Sequence, residues 1–137
     1  MRLYYRIRNF FVYGWDKFRR RCQRFIRGYS YGDVWDMDCW FMDTVKPMLT
    51  HLRDHGIGIP NDLYLEGVEN EREAWEAVLS EMIQCLTLMD IDEAQKHLGI
   101  ADNNHSIESY KKLNDFMEDN KNKFFELFSK HFYSLWD

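Results

Sequence analysis

Tyr4, Ile7, Phe11, Trp15, Phe18, Cys22 and Phe25 recur at steps of three and four, the spacing of one face of an α-helix. The run predicts a first helix of about 22 residues. Gly14 weakens it by about 1 kcal/mol relative to Ala, and Gly28 supplies its C-terminal stop. Lys17, Arg20, Arg24 and Arg27 fall at the same spacing on an adjoining face, so the helix is amphipathic and strongly basic over its second half. A second helix is predicted from near Asp33, with Ser30 or Asp33 as its N-cap, to about His55. Asp33, Asp36 and Asp38 suit the positive end of its dipole and Arg53 the negative end. Its inward positions are Val34, Met37, Phe41, Val45, Met48 and Leu52, and Pro47 is expected to kink or break it.

The GIGIP stretch from Gly56 to Pro60 then reads as a turn, and Asn61 to Asn70 as an acidic connection. A third helix fits Glu71 to Met89 with Trp75, Val78, Leu79, Met82, Ile83 and Leu86 inward. Ile91 to Leu98 forms a short helix ended by Gly99, and the polar ADNNHS stretch is a loop. Ile107 to Trp136 reads as one long helix or two shorter ones, with Leu113, Phe116, Met117, Phe124, Leu127, Phe128, Phe132 and Leu135 as apolar positions. The expected architecture is a single all-α domain, residues 1–137, a compact bundle of four to five helices.

Composition agrees with that reading. Two prolines and seven glycines leave little room for the turns of a many-stranded sandwich or barrel. Aromatic residues make up 17% of the chain, enough to fill a substantial core. Cys22, Cys39 and Cys85 are odd in number and lack CxxC spacing, which points to reduced thiols in a cytosolic protein. No run approaches the roughly 18 apolar residues of a spanning helix. Arg6, Arg8 and Asp16 interrupt the N-terminus, which lacks the apolar centre of a signal peptide. The expectation is a soluble, cytoplasmic protein without a transmembrane segment.

Charge divides the chain sharply. Residues 1–30 hold nine Lys/Arg and one acid, a net +8; the remaining 107 hold nine Lys/Arg and twenty-two Asp/Glu, a net −13. Such asymmetry fits a basic element that meets an anionic partner or packs on the protein's own acidic body.

At the switch of sign, Arg27, Gly28, Tyr29, Ser30, Asp33, Trp35 and Asp38 spell R-G-[YFW]-S-x-x-D-x-W-x-x-D, and a Gly/Pro turn follows at Pro60. This stretch resembles a group of small proteins encoded by tailed phages and prophages, which share a basic aromatic N-terminus before that segment. EAWEAVLSEMI (Glu73 to Ile83) looks like the group's second block, and ELFSKHFYSLWD (Glu126 to Asp137) like its ending. The resemblance implies a phage origin, a helical fold and a function in an infected bacterium; it implies no catalytic residues. Tyr31-Gly32 departs from the acidic or polar residues usual there.

The same corner carries the candidate site. Arg20, Arg24 and Arg27 offer planar forks for phosphate or carboxylate. Tyr29, Tyr31 and Trp35 suit stacking on a base, and Asp33 or Asp38 suits a base edge or ribose. The plainer reading is that Arg24 or Arg27 pairs with Asp33 or Asp38 to lock a helix-turn-helix corner, with Trp35 in the core.

Elsewhere His51 and His55 have zinc-ligand spacing with nothing nearby to complete a set. Glu73, Glu76, Asp90 and Glu93 faintly resemble the ExxE…ExxD carboxylates of all-helical nucleotide pyrophosphohydrolases, with the second pair reversed. The cysteines are expected to be inert and buried or at the edges of apolar faces. Phe124, Phe125, Phe128, Phe132, Tyr133 and Trp136 exceed what one helix face can hide, and give either more core or a homo-oligomer contact.

These features lead to the expectation of a phage-encoded, non-enzymatic binding protein of the host cytoplasm, without a cofactor or metal. Arg20, Arg24, Arg27, Tyr29, Asp33, Trp35 and Asp38 would sequester a small anionic ligand such as a nucleotide defence signal. A second reading docks the basic N-terminal helix on nucleic acid or an acidic host protein; the same helix has the character to lie on an anionic membrane surface, and the net −13 of the remaining residues opposes a broad contact of either kind. A third is a magnesium-dependent nucleotide pyrophosphohydrolase.

Overall fold

The computed structural model describes residues 2–61, 63, 69–101 and 106–136, with side chains from residue 14 onward. The chain is all-α. Among the described residues six α-helices run Arg2–Arg27 (α1), Tyr31–Trp35 (α2), Met37–His55 (α3), Glu71–Leu88 (α4), Ile91–Leu98 (α5) and Ile107–Lys130 (α6), followed by a 3₁₀ turn at Phe132–Ser134. The side chains of Tyr4, Ile7 and Phe11, most of the acidic connection and residues 102–105 of the polar loop lie outside the described set. The chain forms two compact units, Met1–Phe41 and Met42–Asp137, and the division falls inside α3.

The predicted second helix is two. Asp36, at φ −123° and ψ 60°, leaves the helical region and ends α2, and its carbonyl accepts the first bond of α3 from the Trp40 N–H at 3.0 Å. The interruption therefore lies at Asp36 and not at Pro47, through which α3 continues. α1 is longer than predicted at 26 residues and carries Gly14 in its interior.

The core of the second unit is apolar. α4 contributes Trp75, Leu79, Met82, Cys85 and Leu86, α5 contributes Ala94, and α6 contributes Leu113 and Phe124. Trp75, Leu79, Met82 and Leu86 follow the helical repeat, so one stripe of α4 faces α6 while α5 packs on both. Each large side chain so buried contributes about 1.5–3 kcal/mol. Polar side chains fix the helix starts. Asn70 accepts from the Glu73 N–H at 3.3 Å, Asp90 from the N–H groups of Asp92 and Glu93, and Ser106 from the Ser109 N–H at 3.2 Å. Gly99, at φ +65°, closes α5 in a left-handed conformation. Lys123 of α6 pairs with Glu81 of α4 at 2.5 Å, and the His131 and buried Trp75 rings cross at 62° with their centres 5.4 Å apart.

The loop after α3 is tied down from both sides. The Arg72 guanidinium donates to the Gly56 carbonyl and pairs with Glu76 at 2.6 Å. Gly58 lies so close to the C-terminal turn that a Cβ there would stand 3.1 Å from the Trp136 carbonyl oxygen.

Several expected core positions are not core. Val34, Met37 and Met48 are exposed, and Trp35, placed in the core by the bracing reading, is 89% exposed. α2 turns Asp33 inward instead of Val34, because its anchor is polar. On α3 the buried residue is Leu49, one position beyond Met48, which lines an open cleft. Cys39 is exposed, Cys22 half-buried and Cys85 buried, where desolvation pushes its thiol pKa up.

Leu79, with no exposed surface, is expected to lose about 2–5 kcal/mol of stability on substitution by Ala. Trp35→Ala is expected to stay within about 0.5 kcal/mol. Urea unfolding followed by helical circular dichroism measures both.

Candidate functional site

Helix α1 ends at Gly28, whose φ of +79° reverses the chain after its N–H has bonded the Arg24 carbonyl at 2.9 Å. The chain then enters α2 through Ser30, its N-cap. Arg24 donates to both oxygens of Asp33, Nε to Oδ2 at 3.0 Å and a terminal nitrogen to Oδ1 at 2.5 Å. The Ser30 N–H also donates to Asp33 Oδ2 at 2.7 Å. One carboxylate thus caps its own helix and clamps it to the preceding one.

Three further side chains of α1 reach the same short helix. Gln23 Oε1 accepts from the Tyr31 N–H at 3.1 Å. The Arg27 guanidinium stands 5.3 Å from the Tyr31 ring centre. The Arg20 guanidinium covers Gly32, where a Cβ would lie 2.9 Å from its nitrogen. Residues 20, 23, 24 and 27 share one helical face, and that face holds α2. Gln23 was missed as a member of the cluster, although its three- and four-residue spacing from Arg20 and Arg27 would have found it; Ser30, one of the two expected N-caps, holds that place.

Asp33 is buried while the Arg24 side chain is 58% exposed. Burial favours the neutral acid, but the Arg24 hydrogen bonds, followed by that of the Ser30 N–H, outweigh it and hold the Asp33 carboxyl well below the ordinary carboxylate range. The Arg27 hydrogen bond pushes the Tyr31 phenol down.

The candidate residues therefore divide. Arg20, Arg24, Arg27 and Asp33 come together, with Arg20 also 3.7 Å from Asp16. Tyr29 and Asp33 line a cavity of about 320 Å³ with Val34, Met37 and Trp40. None of the three arginines is on its wall, and its charged group is a carboxylate. Trp35 and Asp38 do not line it; Trp35 is exposed, and Asp38 sits exposed in the first turn of α3.

From residue 14 onward the other face of α1 is open. Trp15, Phe18, Phe25 and Ile26 are 69%, 59%, 93% and 78% exposed, and the Trp15 and Phe18 rings lie 6.0 Å apart. At 100° per residue, the stripe Trp15–Phe18–Cys22–Phe25 is centred about 160° from the stripe Lys17–Arg20–Arg24–Arg27. The two stripes are nearly opposite, not adjoining as the sequence reading had them, and α2 lies along the basic one.

The remaining candidate chemistry is occupied or dispersed. His51 and His55 stack at 4.6 Å on an exposed stretch of α3, and among the described residues no group of three or more His, Cys, Asp or Glu side chains is placed to hold a metal. Glu76 pairs with Arg72, Glu93 pairs with Lys96 at 2.7 Å, and Asp90 caps α5. Of the C-terminal aromatics, Phe124 is buried and ring contacts continue from it through Phe128 and Phe132 to exposed Tyr133. Phe128, Phe132 and Trp136 share an apolar cleft of about 620 Å³ with Met48, Leu49 and Leu52.

No protein-family model, curated protein or solved structure matches the chain.

Because the Asp33 pKa is depressed in the folded protein, its stabilising contribution is complete above the unfolded value near 4. It is lost as the pH falls below that value toward the native one. The Ser30 amide proton resonance is expected to hold steady from neutral pH to about 4 and to move only below it. In Asp33→Asn it should be displaced at every pH. A Ser30 resonance that titrates at ordinary carboxylate pH would show that the clamp does not form.

Proposed function

We propose that this is a non-enzymatic binding protein that docks through helix α1 on an anionic partner. The observation that carries the reading is the division of labour along α1. Arg24 is engaged with Asp33 in a bidentate pair and Arg20 and Arg27 lie over α2, while Lys17, Arg19 and Arg21, exposed like them, make none of these contacts. Sequestering a nucleotide at the corner would require breaking the clamp that holds α2. The adjacent cavity presents a carboxylate, which does not favour an anion. The exposed cations need no such rearrangement, and residues 1–30 concentrate a net +8 from nine Lys/Arg and one acid.

The resemblance of the Arg27–Asp38 segment to tailed-phage proteins supports a setting in the cytoplasm of an infected bacterium. Within that setting the reading is of a docking protein, with the helical second unit as the body that α1 tethers.

Retention on a sulfated polyanion matrix is expected to fall steeply with salt. Arg19→Glu combined with Arg21→Glu should elute at clearly lower salt, each lost contact reducing the salt slope by about 1. Glu73→Gln should elute unchanged. Equal retention of all three proteins would overturn the reading.

A further inference from the structure

We infer that the anionic partner of α1 is a lipid surface, on which residues 14–27 lie in the interface plane with Trp15, Phe18, Phe25 and Ile26 toward the acyl chains. The inference rests on the docking reading above and names its partner.

Four large apolar side chains on one stripe of a helix stand more than half exposed, and the short helix that α1 does hold is clamped along the opposite side by Arg20, Gln23, Arg24 and Arg27. The fold therefore spends the basic stripe on an internal contact and keeps the apolar one available. A nucleic acid would neutralise the arginines but has no use for this stripe.

The apolar positions span an arc of about 100°, and Arg19 and Arg21 fall about 80° to either side of its centre. Both are exposed. A helix lying in a bilayer interface needs this arrangement: apolar side chains downward, and flanking long cations that reach sideways to headgroup phosphates. Trp15 adds an indole suited to the headgroup boundary.

No helix among the described residues is long and apolar enough to cross a membrane, so the helix would lie on the bilayer without spanning it. The net −13 on residues 31–137 opposes a broad contact with an anionic leaflet. Such repulsion is screened beyond about 8–10 Å at physiological salt, so it restricts contact to the helix and leaves binding by the helix itself in place.

Co-sedimentation of the full chain with vesicles of phosphatidylcholine, with and without phosphatidylglycerol, tests the inference. Partition into the anionic vesicles should exceed that into the neutral ones by about tenfold or more, since neither apolar burial nor charge alone anchors such a helix stably. Phe18→Gln with Phe25→Gln, which removes apolar surface without changing the charge, should lower that partition by a similar factor while leaving polyanion retention and helical circular dichroism unchanged, both residues being exposed. Arg19→Glu with Arg21→Glu should weaken vesicle and polyanion binding together. A chain that is retained on the polyanion but does not sediment with anionic vesicles would overturn the lipid assignment and leave the docking reading standing. Loss of both would sink both. A Phe18/Phe25 variant that sediments like the parent would also overturn the assignment. So would light scattering that shows a dimer which the same variant splits, since the stripe would then belong to a second copy.

Discussion

The carboxylate of Asp33 is taken out of water and held there by three donors, two from the Arg24 guanidinium and one from the backbone of its own turn. Burial alone would drive such a group to its neutral form; here the hydrogen bonds outweigh desolvation and keep it charged. A bidentate fork has a fixed plane, so the pair fixes direction as well as distance. That direction decides which side of α1 is covered, and the rest of the first unit follows from it. Gln23 meets the Tyr31 amide, Arg27 lies over the Tyr31 ring, and Arg20 fits above a residue that has no side chain.

A consequence is that the two units are held by different physics. In the second, Trp75, Leu79, Met82 and Phe124 are shut away from water, and apolar burial supplies the cohesion. In the first, the buried residues of the α1–α2 corner are Ser30 and Asp33, while Val34, Trp35 and Met37 face outward. Cohesion of the corner is therefore ionic and responds to pH, whereas the bundle responds chiefly to what changes the solvation of hydrocarbon.

Helical periodicity made α4, α5 and α6 legible almost residue by residue, because their apolar stripes face one another and their caps are ordinary Asn, Asp, Ser and Gly residues. Periodicity failed where a polar contact overrides it. Val34 and Met37 sit at apolar spacing, yet Asp33 sets the inward face of α2, and Asp36 rather than Pro47 interrupts the helix. The composition of the corner was visible as a cluster of Arg, Ser and Asp, and the bracing alternative named Arg24 and Asp33 among its members. The partner within that cluster was not legible, because a string of letters does not rank Arg24 against Arg27 or Asp33 against Asp38. Nor does it show that α2 would lie along the basic stripe and leave the apolar one bare.

The interruption at Asp36 also resets helical phase. In an unbroken helix every residue inherits its azimuth from the one before at 100° per step. The side facing Arg24 at residue 33 would then dictate which side points inward at Leu49, and one inserted or deleted residue would swing the second by a quarter turn or more. A single non-helical residue severs that inheritance. At Asp36 the helical step is replaced by φ −123° and ψ 60°, so α3 starts its own 100° register at Met37.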